Sequence, residues 1–222
     1  MPDSNVTETP PRSLVLASSS PYRKALMQRL GLPFSIRVPD VDESPAPGED
    51  PSDLALRLAR IKAEAVLPHY PKALIIGSDQ VAVCGGRLLG KPGHFAAACE
   101  QLRTMSGRCV RFLTGLALLN TETRRMQIAC IPFDVHFRIF GEDQIRRYLS
   151  AEQAFGCTAG FRSEGLGIAL VEKMEGEDPT ALIGLPLIHL VGMLRNEGID
   201  VLARPRVNKG YCAPTAAPES GS

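Results

Sequence analysis

The sequence predicts an α/β domain with a mixed, twisted sheet and flanking helices. Short apolar runs typical of buried strands alternate with helical patterns in the first half of the chain. Two long β-type segments, residues 110–119 and 126–137, follow with a polar turn between them, as in a hairpin. The 222 residues are 44% hydrophobic, which suffices for one domain with a substantial core.

The composition argues against several classes of protein. A formal net charge of +1 gives no basic excess for a stable nucleic-acid surface. No apolar run approaches the roughly 20 residues of a membrane helix, and the polar N-terminus has no signal core. The six cysteines form no C-x-x-C pair, so neither a zinc site nor a disulfide framework is indicated. A reducing cytoplasm is therefore the simplest expected location.

Two terminal segments are expected to lie outside the folded domain. Residues 1–12 are rich in Pro, Ser, Thr and Asp, and residues 203–222 mix Pro, Gly, Ala and Ser. Such segments bury too little apolar surface to become ordered. The sequence therefore predicts one domain, residues 13–202, between a disordered N-terminal tail and a flexible C-terminal tail.

The first strand, residues 14–17, leads into a serine-rich turn and a helix. Ser20 is a plausible N-cap, and the proline after it suits the first helical position. Arg23 and Lys24 in the first turn oppose the helix dipole, a conflict that a phosphate bound at the helix N-terminus would offset. An ordinary capped helix with solvated basic residues explains this pattern equally well.

An acidic cluster and a second helix follow. Residues 34–38 predict a strand, and Glu43 closes the cluster at positions 40–43, which could bind Mg²⁺ or Mn²⁺ through oxygen ligands. A solvated loop explains the cluster better if it is considered alone. Ser52 is expected to cap a helix that runs to about residue 67. Lys62, at the edge of its apolar face, could reach into a cleft or simply extend to solvent.

The stretch of residues 74–92 carries the clearest chemistry. An apolar run at 74–76 predicts a buried strand, Gly77 and Ser78 predict a turn, and Asp79 then stands at the strand's end. A hairpin beyond it could return Lys91 towards Asp79. A lysine that binds phosphate and an aspartate that binds a metal or a water suit phosphate chemistry. A surface acid and a surface base beside a turn explain the same residues.

The second half of the chain adds a glycine-rich region. Helices are predicted over residues 94–105, 141–149 and 187–196, and a strand over residues 168–171. Residues 156–167 contain four glycines, which indicates tight turns and a close backbone approach, with Glu164 inside the region. The four histidines have no nucleophile-elbow context and are expected to be structural.

Six motifs, in this order along the chain, resemble the Maf family of nucleoside triphosphate pyrophosphatases. The motifs are Ser18-Ser19-Ser20-Pro21-Tyr22-Arg23-Lys24, Val41-Asp42-Glu43, Gly77-Ser78-Asp79-Gln80, Gly90-Lys91-Pro92, Thr114-Gly115 and Gly184-Leu185-Pro186. The resemblance covers about residues 14–202. Gln80 after the aspartate and Glu164 in the later loop resemble the subfamily that acts on 7-methyl-GTP; the dTTP/UTP subfamily has Thr and Gln there.

The resemblance implies a fold, a reaction and a set of site residues. It implies a Maf/ITPase-like domain with a central cleft that hydrolyses the α–β phosphate bond, giving a nucleoside monophosphate and pyrophosphate. It also implies a divalent cation (Mg²⁺, Mn²⁺ or Co²⁺), a cytoplasmic location and often a homodimer. Asp79 matches the proton acceptor. Glu43 and Asp79 are expected to bind the metal because of the carboxylate oxygens that they offer. The residues expected to bind the phosphates are Ser18, Ser20, Arg23, Lys24, Lys62 and Lys91.

Tyr22, Gln80 and Glu164 match the positions that set substrate specificity. Guanine presents N1–H and N2–H₂ donors on one edge, which a carboxylate accepts better than an amide. Methylation at N7 makes the ring cationic, so an acid and an aromatic face both favour it. The usual Arg-Arg pair of the family is Arg23-Lys24 here, which keeps the charge but could lose a bidentate phosphate contact.

Two other functions remain open from the sequence. One is a regulator of septum formation that binds nucleotide or a partner without needing turnover. The other is a pyrophosphatase for other nucleotides, for example ITP. Asp79, Lys91 and Arg23 favour catalysis, because a protein that only binds nucleotide would not need the acid.

Overall fold

The computed structural model describes residues 12–203, which form a seven-stranded mixed sheet in the order β2-β1-β3-β5-β6-β7, with β4 paired to β3. The strands are β1 Ser13–Ala17, β2 Phe34–Ile36, β3 Ala73–Cys84, β4 Arg87–Leu89, β5 Cys109–Asn120, β6 Met126–Phe137 and β7 Val171–Glu175. β1 runs parallel to β2 and β3, and the β3-β5-β6-β7 ladder is antiparallel. The predicted α/β class with a mixed sheet is confirmed. Apart from Arg12 and Ala203, the two predicted tails lie outside the described residues.

Helices cover both faces of the sheet. They are α1 Pro21–Arg29, α2 Pro51–Val66, α3 Phe95–Met105, α4 Glu142–Glu152, α5 Pro179–Ile183 and α6 Leu187–Asn196. Ser20 caps α1 as predicted, because its side chain accepts the Arg23 N–H. The predicted cap of α2 is wrong by two residues: Asp50 caps it and accepts the Ser52 N–H at 2.8 Å.

The predicted break in the central strand is wrong. β3 runs without interruption through Ala73–Cys84, so Asp79 lies in the middle of a strand rather than at its end. Gly77 serves a different purpose from a turn: a Cβ there would collide with the Ala59 carbonyl of α2. Gly115, on the neighbouring strand, lies just as close to the Ala55 carbonyl. These two glycines let α2 lie directly on β3 and β5.

Strand alternation then divides the core between two faces. Ile75 and Ala117 pack against Ala59 and Ala63 of α2 on one face. Leu74, Ile76, Leu116 and Leu118 pack with α1 and α6 on the other. Asp79 has the same strand parity as Ile75, so it points to the α2 face, whereas the residues on either side of it point to the opposite face.

Near the C-terminal end, one prediction is corrected and one helix was not predicted. The strand predicted over residues 168–171 is a 3₁₀ segment, Leu166–Leu170, followed by β7. Gly167 explains the difference, because a Cβ there would collide with the Arg162 carbonyl in a tightly coiled backbone. The short helix α5 was not predicted. Its five residues are too few to show a helical period.

Replacing Gly115 by Ala should destabilise the fold, because the new methyl group would meet backbone atoms of α2 that cannot rotate away. We expect a loss of about 1–3 kcal/mol in the free energy of unfolding, measured by urea denaturation. Gly192→Ala in α6 is the matched control, since nothing lies within 4 Å of its added Cβ. That control should be neutral or slightly stabilising. Equal stability of the two variants would refute the close approach of α2.

Candidate active site

A cleft of about 250 Å³ opens where the serine-rich turn, α2, β3, the glycine-rich loop and α5 meet. It is lined by all of the predicted site residues except Lys24 and Asp79. An adjoining pocket of about 280 Å³ contains Asp79 and shares Arg23, Glu43, Gln80 and Lys91 with the first. The structure therefore brings together residues that are up to 146 positions apart, from Ser18 to Glu164.

Lys62 binds two carboxylates at the centre of this region. Its Nζ donates a hydrogen bond to Asp79 Oδ1 and lies 2.6 Å from Glu43 Oε1. The side chains of Lys62 and Asp79 are only 5% and 10% exposed. Partial burial acts to raise the pKa of Glu43, but the hydrogen bond and charge of Lys62 outweigh it, and the pKa is lowered. Glu43 is therefore ionised at neutral pH.

The predicted pairing of Asp79 with Lys91 is wrong, because Asp79 pairs with Lys62 and Arg23 instead. Lys91 lines the same pocket as Asp79, but within residues 12–203 the ion-pair partners of Asp79 are Lys62 and Arg23. The hairpin does form, with Ala82 opposite Leu89. Asp79 lies three residues before Ala82, beyond the short paired region, and points to the α2 face.

Arg23 is fixed by three groups at the start of α1. Its Nε donates to the Gly184 carbonyl at 2.8 Å, and its Nη1 donates to Ser18 Oγ at 3.4 Å. Its Nη2 lies 3.9 Å from Asp79 Oδ1. Burial lowers the pKa of the Arg23 guanidinium, and the charges of Asp79 and Glu43 act in the opposite direction. Arg23 thus presents a desolvated, oriented cation to the cleft.

Lys24 does not join the cleft. It is exposed on α1 and lines neither pocket. Successive helical residues are rotated by about 100° about the axis, so a side chain next to Arg23 cannot point the same way. The motif placed two cations in one turn, but the geometry of the helix separates them.

Gln80 and two residues that the sequence reasoning missed bind the C-terminal carbonyls of α5. Gln80 Nε2 donates to the carbonyls of Ala181 and Leu182 at 2.9 and 3.0 Å. Thr114 Oγ1 also donates to Ala181, and Ser78 Oγ lies 2.9 Å from the Gly184 carbonyl. A helix end leaves carbonyls without intrahelical partners, and these side chains satisfy them. Thr114 stood in one of the motifs, but its role depends on a helix that the sequence did not reveal.

Tyr22 and Glu164 line the other part of the cleft. The Cys157 thiol lies 3.6 Å from the Tyr22 hydroxyl, and this hydrogen bond, with burial, raises the pKa of Tyr22 to about 12. The Arg162 guanidinium carbon lies 5.5 Å from the centroid of the Tyr22 ring, and Arg162 Nε lies 3.5 Å from Glu164 Oε1. Arg162, which does not line the cleft, positions both residues that do.

The glycine-rich loop is held by two residues of α4, which the sequence reasoning also missed. Tyr148 Oη accepts the Arg162 N–H at 3.0 Å and donates to the Gly160 carbonyl at 3.2 Å. Glu152 accepts the Leu166 N–H at 2.6 Å and lies 3.1 Å from Arg162 Nη1. Burial raises the pKa of Tyr148, which therefore stays a hydroxyl donor at all ordinary pH values. The loop is thus a fixed wall of the cleft.

The cleft has a cationic end and an aromatic, acidic end. Arg23, Lys62 and Lys91 suit a polyphosphate, and Tyr22 with Glu164 suits a flat ring that carries hydrogen-bond donors. The fold and the cleft together define an α/β protein whose cleft combines cationic, aromatic and acidic side chains. Across residues 12–203, no helix is both long and apolar enough to cross a membrane.

Comparisons with known proteins identify the family. A family model described as Maf-like protein matches residues 13–197. A 7-methyl-GTP pyrophosphatase of Pseudomonas aeruginosa is 55% identical over 85% of this chain and 98% of the relative. Proteins of the same name from Pseudomonas syringae pv. tomato and Nitrosococcus oceani are 56% and 52% identical, over 85% and 89% of this chain and 98% and 100% of the relatives. The chain belongs to the Maf family, which confirms the resemblance.

Replacing Gln80 by Glu should destabilise the protein. A carboxylate in place of the amide would face the Ala181 and Leu182 carbonyls without a proton to donate. We expect a loss of more than about 2 kcal/mol in the free energy of unfolding, because buried acceptors would oppose a charge. Gln80→Met, which removes the donor without adding a charge, should cost less. If both variants were as stable as the unaltered protein, the Gln80 amide would not be held by α5.

Proposed function

We propose that this chain is a nucleoside triphosphate pyrophosphatase that converts 7-methyl-GTP into 7-methyl-GMP and pyrophosphate. The observation that supports this proposal most directly is a pair of adjoining pockets, one with a buried acid among cations and the other with an aromatic ring and an acid. The names of relatives that are 52–56% identical over most of the chain support the same reaction.

The cationic end is assigned to the triphosphate. Arg23 and Lys62 are fixed by hydrogen bonds, and Lys91 completes the wall between the two pockets. Ser18 and Ser20 order the turn that positions Arg23, since Ser18 Oγ accepts the Ser20 N–H and Ser20 Oγ accepts the Arg23 N–H. Preorganised cations stabilise the charge that develops on phosphate oxygens in the transition state. We omit Lys24 from this set because of its exposed position.

Asp79 is assigned as the general base. A water oxygen attacks the α-phosphorus, the bond from that phosphorus to the bridging oxygen breaks, and pyrophosphate leaves. Asp79 accepts the proton that the water loses. Lys62 and Arg23 fix the Asp79 carboxylate in place beside the cations of the site.

A divalent cation fits the site on one structural observation: Glu43 and Asp79 converge on a single cationic atom, Lys62 Nζ. Across the described residues, no group of three or more His, Cys, Asp or Glu side chains could hold a metal. Mg²⁺ commonly uses one or two carboxylates, with phosphate oxygens and waters as the other ligands. When bound by Glu43 and Asp79, Mg²⁺, Mn²⁺ or Co²⁺ would neutralise charge on the polyphosphate.

The other end is assigned to the base. Tyr22 offers a ring for stacking and Glu164 offers two acceptor oxygens, which suit the N1–H and N2–H₂ donors of guanine. A cationic 7-methylguanine ring gains further from both. Gln80 Nε2 is committed to α5, so Gln80 offers the substrate an acceptor, Oε1, rather than a donor. A cytoplasmic location and a homodimer remain predictions of the family resemblance.

A nucleotide panel tests the substrate. Pyrophosphate release should be measured for 7-methyl-GTP, GTP, ITP, UTP and dTTP, each with Mg²⁺, Mn²⁺ and Co²⁺. We expect 7-methyl-GTP to give the highest kcat/KM. A preference for ITP or UTP would overturn the substrate assignment, and nucleotide binding without any turnover would favour a regulatory role.

Asp79→Asn should lower kcat about a hundredfold or more, the usual contribution of a general base. The amide keeps the shape of the side chain but cannot accept the proton. Asp134→Asn is a suitable control, because Asp134 pairs with Arg111 on the exposed part of the sheet. Near-native turnover by a folded Asp79→Asn variant would refute the assignment.

Glu164→Gln should weaken the preference for 7-methyl-GTP over UTP by roughly ten- to a hundredfold. The reason is that a polar group left without its hydrogen-bond partner costs about 1–3 kcal/mol. The substitution removes a charge and places an amide donor beside the donors of the base. The measurement is kcat/KM for both nucleotides, with Glu172→Gln on exposed β7 as the control. An unchanged ratio would mean that Glu164 does not read the base.

A further inference from the structure

Lys62 occupies the point where the two metal-binding candidates meet. Glu43 comes from the loop before α2 and Asp79 from the middle of β3, yet both direct an oxygen at the same ammonium. Lys62 is almost fully buried, with its side chain 5% exposed. A buried charge needs compensation, and these two carboxylates provide it.

A divalent cation held by the same two oxygens, Glu43 Oε1 and Asp79 Oδ1, would need the position that the ammonium now has. Metal–oxygen distances of about 2.0–2.1 Å for Mg²⁺ require the carboxylate oxygens to converge on one point. That point is already occupied, and the two cations would repel each other at contact distance. Binding of the metal through these two oxygens and the present contacts of Lys62 are therefore mutually exclusive.

We propose that Lys62 is the resident counter-cation of the metal site and competes with the metal for Glu43 and Asp79. In the free enzyme its ammonium pairs with both neighbouring acids. When the metal binds with the nucleotide, the ammonium moves to the triphosphate, since Lys62 also lines the cleft next to Arg23 and Lys91. This inference rests on the proposed function for the identity of the nucleotide only.

A consequence is that the metal alone binds weakly and the metal–nucleotide pair binds tightly. The triphosphate supplies both metal ligands and a new partner for the ammonium. The exchange couples metal binding to substrate binding, so the free enzyme does not retain a metal without its substrate.

The test is a Mn²⁺ titration of the nucleotide-free protein, with free Mn²⁺ measured by electron paramagnetic resonance. Lys62→Met should bind one Mn²⁺ at least tenfold more tightly than the unaltered protein, because the half-exposed Glu43 and the buried Asp79 then lose the ammonium that pairs with both. Lys62→Arg keeps the charge and should bind Mn²⁺ as weakly as the unaltered protein. An affinity of Lys62→Met equal to or below that of the unaltered protein would overturn the proposal.

Two controls localise the effect. Glu43→Gln added to Lys62→Met should abolish the gain, because one of the two acids is lost. Lys173→Met, which removes an exposed lysine paired with Glu175 outside the cleft, should leave Mn²⁺ affinity unchanged. A gain that persisted without Glu43, or that Lys173→Met reproduced, would refute competition at this site.

A second measurement needs no variant, in case Lys62→Met fails to fold. Acylation of Lys62 by a small amine-directed reagent should be followed by peptide mass spectrometry in the unaltered, nucleotide-free protein. Saturating Mn²⁺ should accelerate this labelling several-fold, because the metal displaces the ammonium from its buried ion pairs. Unchanged or slower labelling would contradict the displacement. Neither measurement involves turnover, so a wrong substrate assignment would leave both results interpretable.

Discussion

The close approach of α2 to the sheet is the constraint on which the site depends. At Gly77 and Gly115 no side chain separates strands β3 and β5 from the Ala59 and Ala55 carbonyls of the helix. The helix can therefore bring Lys62 into direct contact with Asp79, and Lys62 in turn binds Glu43. A helix seated at the ordinary helix–sheet spacing would leave the ammonium short of the acid. Gly77 and Gly115 thus affect both the packing of α2 on the sheet and the contact between Lys62 and Asp79.

The site also depends on α5. This short helix turns its last carbonyls towards the cleft, where Gln80 Nε2, Thr114 Oγ1 and Arg23 Nε donate to them. Its N-terminus is anchored by the buried Asp178, which accepts the Thr180 N–H. The orphan carbonyls of a helix end thereby orient two of the residues assigned to the substrate. Loss of α5 would remove one of the three groups that fix Arg23, the Gly184 carbonyl, without any change in the serine-rich turn.

The sequence revealed the α/β class, α1 with its cap and the members of the cleft, because local periodicity and motifs encode these features. It did not reveal that β3 is continuous, since Gly77 beside Ser78 has the same local signature whether the chain turns or a helix packs there. Nor could it assign Lys62 rather than Lys91 to Asp79, because that pairing depends on which face of β3 meets α2. Lys24 matched a motif, but helical rotation leaves it exposed.

The central claim, hydrolysis between the α- and β-phosphates, is tested most directly by the identity of the products. The enzyme should act on 7-methyl-GTP in ¹⁸O-labelled water, with ³¹P NMR to identify the products. The account predicts 7-methyl-GMP and pyrophosphate in equal amounts, with the label in 7-methyl-GMP and no orthophosphate. Orthophosphate with 7-methyl-GDP would place the attack at the γ-phosphorus and contradict the account.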